Sequence, residues 1–250
     1  MPVETPFLYI PTRKLVDSPA DYGLAFEDIV RTTPDGLRVQ GWLMSPSIAP
    51  DAWVLYSHGN GGNISRRPKI IAPLVQRGIA VLLYDYRGYG RSEGKPSEQG
   101  TYLDGETMLA ELLSRASNPK RVFLYGRSLG GGVSHELAVR HPELGGLITD
   151  ATFTSVPDIA RVLLPIPFIL KRVQSRYDNL AKARTLTMPR LVMHGTNDRL
   201  IPFSMGEQLR DCTEPKALFH PVHGAGHNNT YTIGGSEYAD TIRRFIDMHR

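Results

Sequence analysis

The chain has 250 residues, 41% of them hydrophobic and 22% charged, with a formal net charge of +4. That balance is too apolar for a disordered chain, and the length allows a core that needs no disulfide or metal staple. The single cysteine, Cys212, excludes an internal disulfide and any multi-cysteine zinc or iron–sulfur site. No apolar run reaches the roughly 20 residues that span a bilayer. The first residues lack the basic-then-apolar order of a secretory signal, so a cytoplasmic location is expected. The mild positive charge permits an anionic partner without requiring one, and no nucleic-acid partner is expected.

In chain order, Phe26–Thr33 and Leu37–Ser45 read as strands joined by the turn Pro34-Asp35-Gly36. Trp53–Ser57 is a third strand, followed at once by His58-Gly59-Asn60-Gly61-Gly62. Asn63–Arg77 reads as a helix with Gly78 as its stop. The almost unbroken apolar run Ala80–Tyr86 predicts a strand buried on both faces. A Gly- and charge-rich loop over 87–100 precedes a helix at Tyr102–Ala116, a strand at Arg121–Tyr125, a helix at Leu129–Arg140 and a strand at Gly146–Asp150. The alternation then breaks for about 35 residues. It resumes with a strand at Arg190–His194, a helix at Phe203–Cys212, a strand at Lys216–Pro221 and a helix at Glu237–His249. Strand–helix repetition at this spacing predicts one α/β domain over 1–250: a mostly parallel sheet with helices on both faces, an antiparallel edge, and a short insertion at about 152–187.

Gly-x-Ser-x-Gly occurs twice, at Gly90–Gly94 around Ser92 and at Gly126–Gly130 around Ser128. A nucleophilic serine of this type needs a sharp strand-to-helix turn that projects its hydroxyl above the sheet, with nearly side-chain-free neighbours two residues away. Ser128 has that context: Val122-Phe123-Leu124-Tyr125 runs into it, and a helix opening with Gly130-Gly131-Gly132 leaves it. Ser92 does not, because its preceding strand ends near Tyr86 and Lys95-Pro96 follows. The bland alternative for Ser128 is a helix N-cap.

A serine attacking a carbonyl creates an oxyanion, which needs N–H donors already in place. The Leu129 N–H, next to the nucleophile and at a helix N-terminus, is one candidate. The second is expected from the loop after Ser57: the Asn60 N–H, with Gly59 and Gly61 as the nearest alternatives. A phosphate-binding nest is the competing reading of this loop, but the Lys-Ser/Thr of a P-loop is missing.

The serine also needs a histidine base, oriented by a carboxylate, in the chain order Ser, Asp or Glu, His. Asp198, in His194-Gly195-Thr196-Asn197-Asp198, and His227, in His223-Gly224-Ala225-Gly226-His227, each follow a strand's carboxyl end in that order. Asp150 is the rival acid and His223 the rival base. A His223/His227 metal pair is disfavoured because the intervening Gly-Ala-Gly breaks the helix it would need, so no metal site is expected.

These segments, with Asp85-Tyr86-Arg87-Gly88-Tyr89-Gly90-Arg91-Ser92-Glu93-Gly94 and Asp150-Ala151-Thr152-Phe153-Thr154-Ser155, resemble the α/β-hydrolase family over about residues 25–249. They are similar, more narrowly, to the small alpha/beta-hydrolase-domain serine hydrolases, the group that includes the protein depalmitoylases. The resemblance implies a Ser128–Asp198–His227 triad and no cofactor. The chain departs from the depalmitoylases in lacking their Cys-rich N-terminus, which argues against protein depalmitoylation.

Residues 152–187 fall where this family places a cap. Val162–Leu170 is an uncharged run of apolar residues and prolines, and between 158 and 184 six basic residues face two acidic ones, an excess of four. A cap packed on the core is the plain reading. An acyl-binding wall, or peripheral contact with an anionic membrane surface through the cap, is the sharper one. The insertion is too short for the extra domain of oligopeptidases. The expected substrate is a small-molecule acyl ester or thioester. A serine peptidase or amidase, and a hydrolase-fold protein that binds without turnover, are the alternatives.

Overall fold

The computed structural model describes residues 5–163 and 174–250. Eight strands form one sheet: β1 (Phe26–Thr32), β2 (Arg38–Met44), β3 (Ala52–Ser57), β4 (Ile79–Tyr84), β5 (Val122–Arg127), β6 (Gly146–Asp150), β7 (Arg190–Gly195) and β8 (Leu218–Val222). Their spatial order is β1-β2-β4-β3-β5-β6-β7-β8. β1 pairs antiparallel with β2 and β2 with β4, and every other neighbouring pair is parallel. After a single helical turn at Thr5–Leu8, the longer helices are α1 (Pro68–Val75), α2 (Glu98–Arg115), α3 (Leu129–Arg140), α4 (Val156–Leu163), α5 (Asn179–Ala183), α6 (Phe203–Asp211) and α7 (Thr230–His249).

The sheet has two buried faces because strand side chains alternate. In β4, Ile79, Val81 and Leu83 join one apolar cluster with Ile71 and Leu74 of α1 and Ile242, Phe245 and Ile246 of α7. Leu82 and Tyr84 join the opposite cluster with Met108, Leu109 and Leu112 of α2 and Val133 and Leu137 of α3. At the edge, β1 buries only Ile29.

Three helices begin differently from the sequence expectation, each for a local reason. The helix predicted at Asn63–Arg77 is a short 3₁₀ turn, Ile64–Arg66, followed by α1, because the Pro68 ring fits the first helical turn rather than an interior position. α2 starts at Glu98, before Tyr102, where the Ser97 side chain accepts the Gly100 N–H as an N-cap. α7 starts at Thr230, before Glu237, and bends at Gly235, whose φ of 54° is open to glycine at little cost. The break at Gly234-Gly235 masks the first turns in the sequence pattern.

The segment before β1 crosses the carboxyl ends of the strands. Ile10 and Pro11 pair in parallel with Gly61 and Gly62, and the Asn63 side chain donates to Thr12 and Lys14. Val162 and Leu163, at the end of α4, are exposed. From residue 164 to 173 the apolar run and the basic pair Lys171 and Arg172 lie outside the described residues.

Candidate active site

The loops that follow β3, β5, β7 and β8 gather at the carboxyl edge of the sheet, where open α/β sheets commonly place ligands. β5 ends at Arg127, and Ser128 turns the chain into α3 with φ 53° and ψ −117°. This is strained backbone for a residue with a Cβ. Two glycines make the turn sterically possible. A Cβ at Gly126 would lie 2.5 Å from the Gly130 carbonyl oxygen, and one at Gly130 would lie 1.9 Å from the Ser57 carbonyl oxygen. The Ser128 N–H donates to the Asp150 carbonyl at 2.9 Å, tying the turn to the end of β6.

The structure brings Ser128, His227 and Asp198 together. Ser128 Oγ lies 3.1 Å from His227 Nε2, and His227 Nδ1 lies 2.8 Å from Asp198 Oδ2. With Nδ1–H donating to the carboxylate, Nε2 is left as an acceptor for the serine hydroxyl. The other Asp198 oxygen, Oδ1, accepts the N–H groups of Leu200 and Ile201, each at 2.9 Å. Burial works to raise the Asp198 pKa. Its contacts with His194 and His227, the charge of His227 and the Ile201 N–H outweigh that, holding the carboxyl well below the usual range.

The two loops that carry Asp198 and His227 are cross-linked by hydrogen bonds. Asn197 N–H donates to the Ala225 carbonyl at 2.9 Å, and Gly224 N–H to Thr196 Oγ1 at 2.9 Å. These bonds fix the Asp198 loop relative to the His227 loop.

The rival residues are placed elsewhere. Asp150 Oδ2 accepts Thr230 Oγ1 at 2.8 Å, Tyr238 OH at 2.9 Å and Arg127 Nε at 3.2 Å, away from His227 Nδ1. His223 is exposed. Ser92 is fully buried, donates to the Asp85 carbonyl and accepts the Gln40 N–H, both at 2.9 Å. Among the described residues, no group of three or more His, Cys, Asp or Glu side chains is placed to hold a metal ion.

The loop after β3 is held by a buried cluster of His58, Asp85, Tyr86 and Tyr89. His58 Nδ1–H donates to the Gly59 carbonyl at 2.6 Å, and its Nε2 lies 3.4 Å from Asp85 Oδ1. Tyr86 OH donates to the His58 carbonyl and Tyr89 OH to the Asn60 carbonyl. Because C=O and N–H point opposite ways across a trans peptide, anchoring the Gly59 carbonyl on His58 turns the Asn60 N–H away from the His58 ring. That N–H makes no hydrogen bond to a described residue. Leu129, first in α3, has no carbonyl a turn earlier in its helix to receive its N–H. A Cβ at Gly59 would lie 3.5 Å from Ser128 Cβ, so this loop and the serine are neighbours.

Two contributors, Arg127 and His194, are not among the site residues expected from the sequence. Arg127, between Gly126 and Ser128, is buried, pairs with Asp150 through Nε, and donates through Nη2 to the His227 carbonyl. Burial opposes its charge, but Asp150 more than compensates and its pKa is raised. His194 Nε2–H donates to the Ile201 carbonyl at 2.9 Å and lies 3.5 Å from Asp198 Oδ2. A place in the elbow marks Arg127, but only the structure shows its link to the histidine loop.

A family model described as "Serine aminopeptidase, S33" matches residues 48–182. A Mycobacterium tuberculosis protein, Rv2307c, is 34% identical over 242 residues, covering 96% of this chain and 85% of its own. The alpha/beta hydrolase domain-containing protein WAV2 of Arabidopsis thaliana is 30% identical over 256 residues, covering 93% and 82%. Among solved structures, the Pyrococcus furiosus esterase Pf2001 superposes with a TM-score of 0.76 at 20% identity, covering 96% of this chain and 99% of that one.

Proposed function

The chain belongs to the α/β-hydrolase family matched by the serine aminopeptidase S33 model, and from that premise we propose that it is a serine hydrolase cleaving carboxylic esters or thioesters through an acyl-enzyme. One observation carries the reading: a strained serine whose hydroxyl lies 3.1 Å from an imidazole that is itself 2.8 Å from a buried carboxylate. In this mechanism Ser128 Oγ attacks the acyl carbon as its proton passes to His227 Nε2. Asp198 holds the imidazole in the needed tautomer and stabilises the imidazolium. The Asn60 and Leu129 N–H groups receive the oxyanion. His227 then protonates the departing alcohol or thiol. Water, deprotonated by the same histidine, releases the acid. The reaction draws on no metal or organic cofactor, and its substrate is a small acyl ester or thioester. The likeness to Pf2001, an esterase, supports the ester class.

Labelling with a tagged fluorophosphonate tests the nucleophile. The expected result is a single modification on Ser128, found by peptide mass spectrometry and lost in Ser128→Ala. An unmodified Ser128 in the wild-type protein rejects the reading. Amide hydrolysis is a second reading, favoured by the aminopeptidase description of the matching family model. Parallel turnover of an ester and the anilide of the same acyl group separates the two.

A further inference from the structure

A cavity of about 340 Å³ has a wall that includes Arg66, Arg67, Lys69, Arg127, Asn228 and Tyr231. None of Ser128, His227 and Asp198 lines it, but Arg127 on its wall donates through Nη2 to the His227 carbonyl, which links it to the proposed reacting centre. A Cβ at Gly59 would lie 3.9 Å from Arg127 Nη1 as well as near Ser128. The volume is about ten times a water molecule's share of the liquid, enough for a polyatomic anion and part of what it is attached to.

The charge of this wall is poorly matched within the protein. Arg127 is set against Asp150, but among the described residues no carboxylate lies within ion-pair distance of Arg66, Arg67 or Lys69. The one acidic side chain on the wall, Asp17, accepts the Tyr22 hydroxyl at 3.0 Å. Arg67 is half-buried, its Nη2 donates to the Gly61 carbonyl, and its Nε is buried with no partner among the described residues. Arg127 uses Nε on Asp150 and Nη2 on the His227 carbonyl, and its Nη1 makes no hydrogen bond to a described residue. Lys69 Nζ stands 5.4 Å from the Tyr231 ring centroid. Guanidinium groups held out of water without an acid partner are costly unless a ligand supplies the countercharge.

We propose that this cavity is a subsite for an oxyanionic group, a phosphate or a carboxylate, carried by the substrate on either its acyl or its leaving-group side. The proposal rests on the reading of Ser128 as the nucleophile and narrows its substrate class to charged esters or thioesters. Arg66 and Lys69 are exposed, so replacing them leaves the core intact.

Two measurements test it separately. In the first, inorganic phosphate is titrated calorimetrically into Ser128→Ala protein with and without Arg66→Ala and Lys69→Ala. Saturable binding that weakens about tenfold in the triple variant is expected, as is weakening with added salt. No binding, or binding indifferent to the two substitutions, overturns the subsite. In the second, kcat/KM is compared for p-nitrophenyl butyrate, mono-p-nitrophenyl succinate and the butyrate ester of 3-carboxy-4-nitrophenol. One charged ester is expected to exceed the neutral one by about tenfold, with that ratio collapsing in Arg66→Ala/Lys69→Ala protein. Which ester does so tells on which side the anion is carried. A ratio unmoved by the substitutions overturns the substrate assignment. Phosphate binding that depends on Arg66 and Lys69 in a protein whose Ser128 the fluorophosphonate leaves unmodified keeps the subsite and retires the nucleophile reading.

Discussion

The two Gly-x-Ser-x-Gly segments have the same pattern and opposite fates. Ser92 closes the loop after β4: its hydroxyl donates to the Asp85 carbonyl and accepts the Gln40 N–H, while Gly88 N–H reaches the Glu93 carbonyl and Glu93 N–H the Arg38 carbonyl. Its hydroxyl is engaged by backbone on both sides. The Ser128 hydroxyl is turned instead toward a side chain, His227 Nε2. The difference lies in the flanking elements. A strand ending directly at the serine and a helix starting directly after it force φ to 53° and lift the hydroxyl out of the sheet, whereas a loop on both sides lets the chain fold the hydroxyl inward.

The comparison breaks most sharply at the serines themselves. Ser128→Ala is expected to lower kcat on a chromogenic short-chain ester by on the order of 10⁴-fold or more, with the far-UV circular dichroism unchanged. Asp198→Asn ranks next, at about 10²–10⁴-fold, because an amide can hold His227 in the wrong tautomer. The same variant has a signature in stability. The folded carboxyl is depressed, so the stabilisation it gives is full above the unfolded-state value of about 4 and is lost as pH falls through the folded one. Melting curves of the wild-type and Asp198→Asn proteins should therefore differ most near neutrality and converge as the medium is acidified below about pH 4. A constant gap would show that the ionised carboxyl has no special stabilisation.

Arg127 joins the Ser128 turn to the His227 loop, and its removal is expected to act on stability before chemistry. Arg127→Met strips a buried ion pair of one partner and leaves Asp150 with Thr230 and Tyr238. A loss of about 3–5 kcal/mol in urea unfolding is expected. A change under about 1 kcal/mol would mean that the two hydroxyl donors satisfy the carboxyl by themselves.

The sequence is most readable where local chemistry and global topology agree. The hydrophobic run of β4 and the strand–glycine–serine–helix order at Ser128 are short-range signals with a single steric explanation, so the fold class and the elbow can be argued from them. The approach of Asp198 to His227 needs only the order of strands. What stays hidden depends on contacts between distant segments. The parallel pairing of Ile10–Pro11 with Gly61–Gly62 has no periodic signature over two residues. The His58–Asp85 cluster that turns the Asn60 N–H outward spans 27 residues of sequence. The matched pair Arg127–Asp150 sets Asp150 apart from the His227 ring only once its partners Thr230 and Tyr238 are in place. Helix starts are misread where a proline or a glycine pair sits near the boundary, since each residue both permits and interrupts a helix.

The smallest effects sharpen the comparison furthest, because they separate a structural serine from a strained one. Ser92→Ala removes a donor to the Asp85 carbonyl and leaves the Gln40 N–H buried without its acceptor, so a loss of about 1–3 kcal/mol is expected. Activity per folded molecule should stay within about threefold of wild type. Ser128→Gly should act in the opposite sense. Glycine occupies φ 53° without a Cβ clash, so the inactive variant is expected to gain up to about 1 kcal/mol in stability, provided that relief of strain exceeds the added freedom of the unfolded chain. Measured by thermal unfolding side by side, one serine then supports the fold and the other is held against it. If Ser128→Gly melts below Ser128→Ala, glycine's added freedom in the unfolded chain outweighs the strain at this residue, which is then under about 1 kcal/mol.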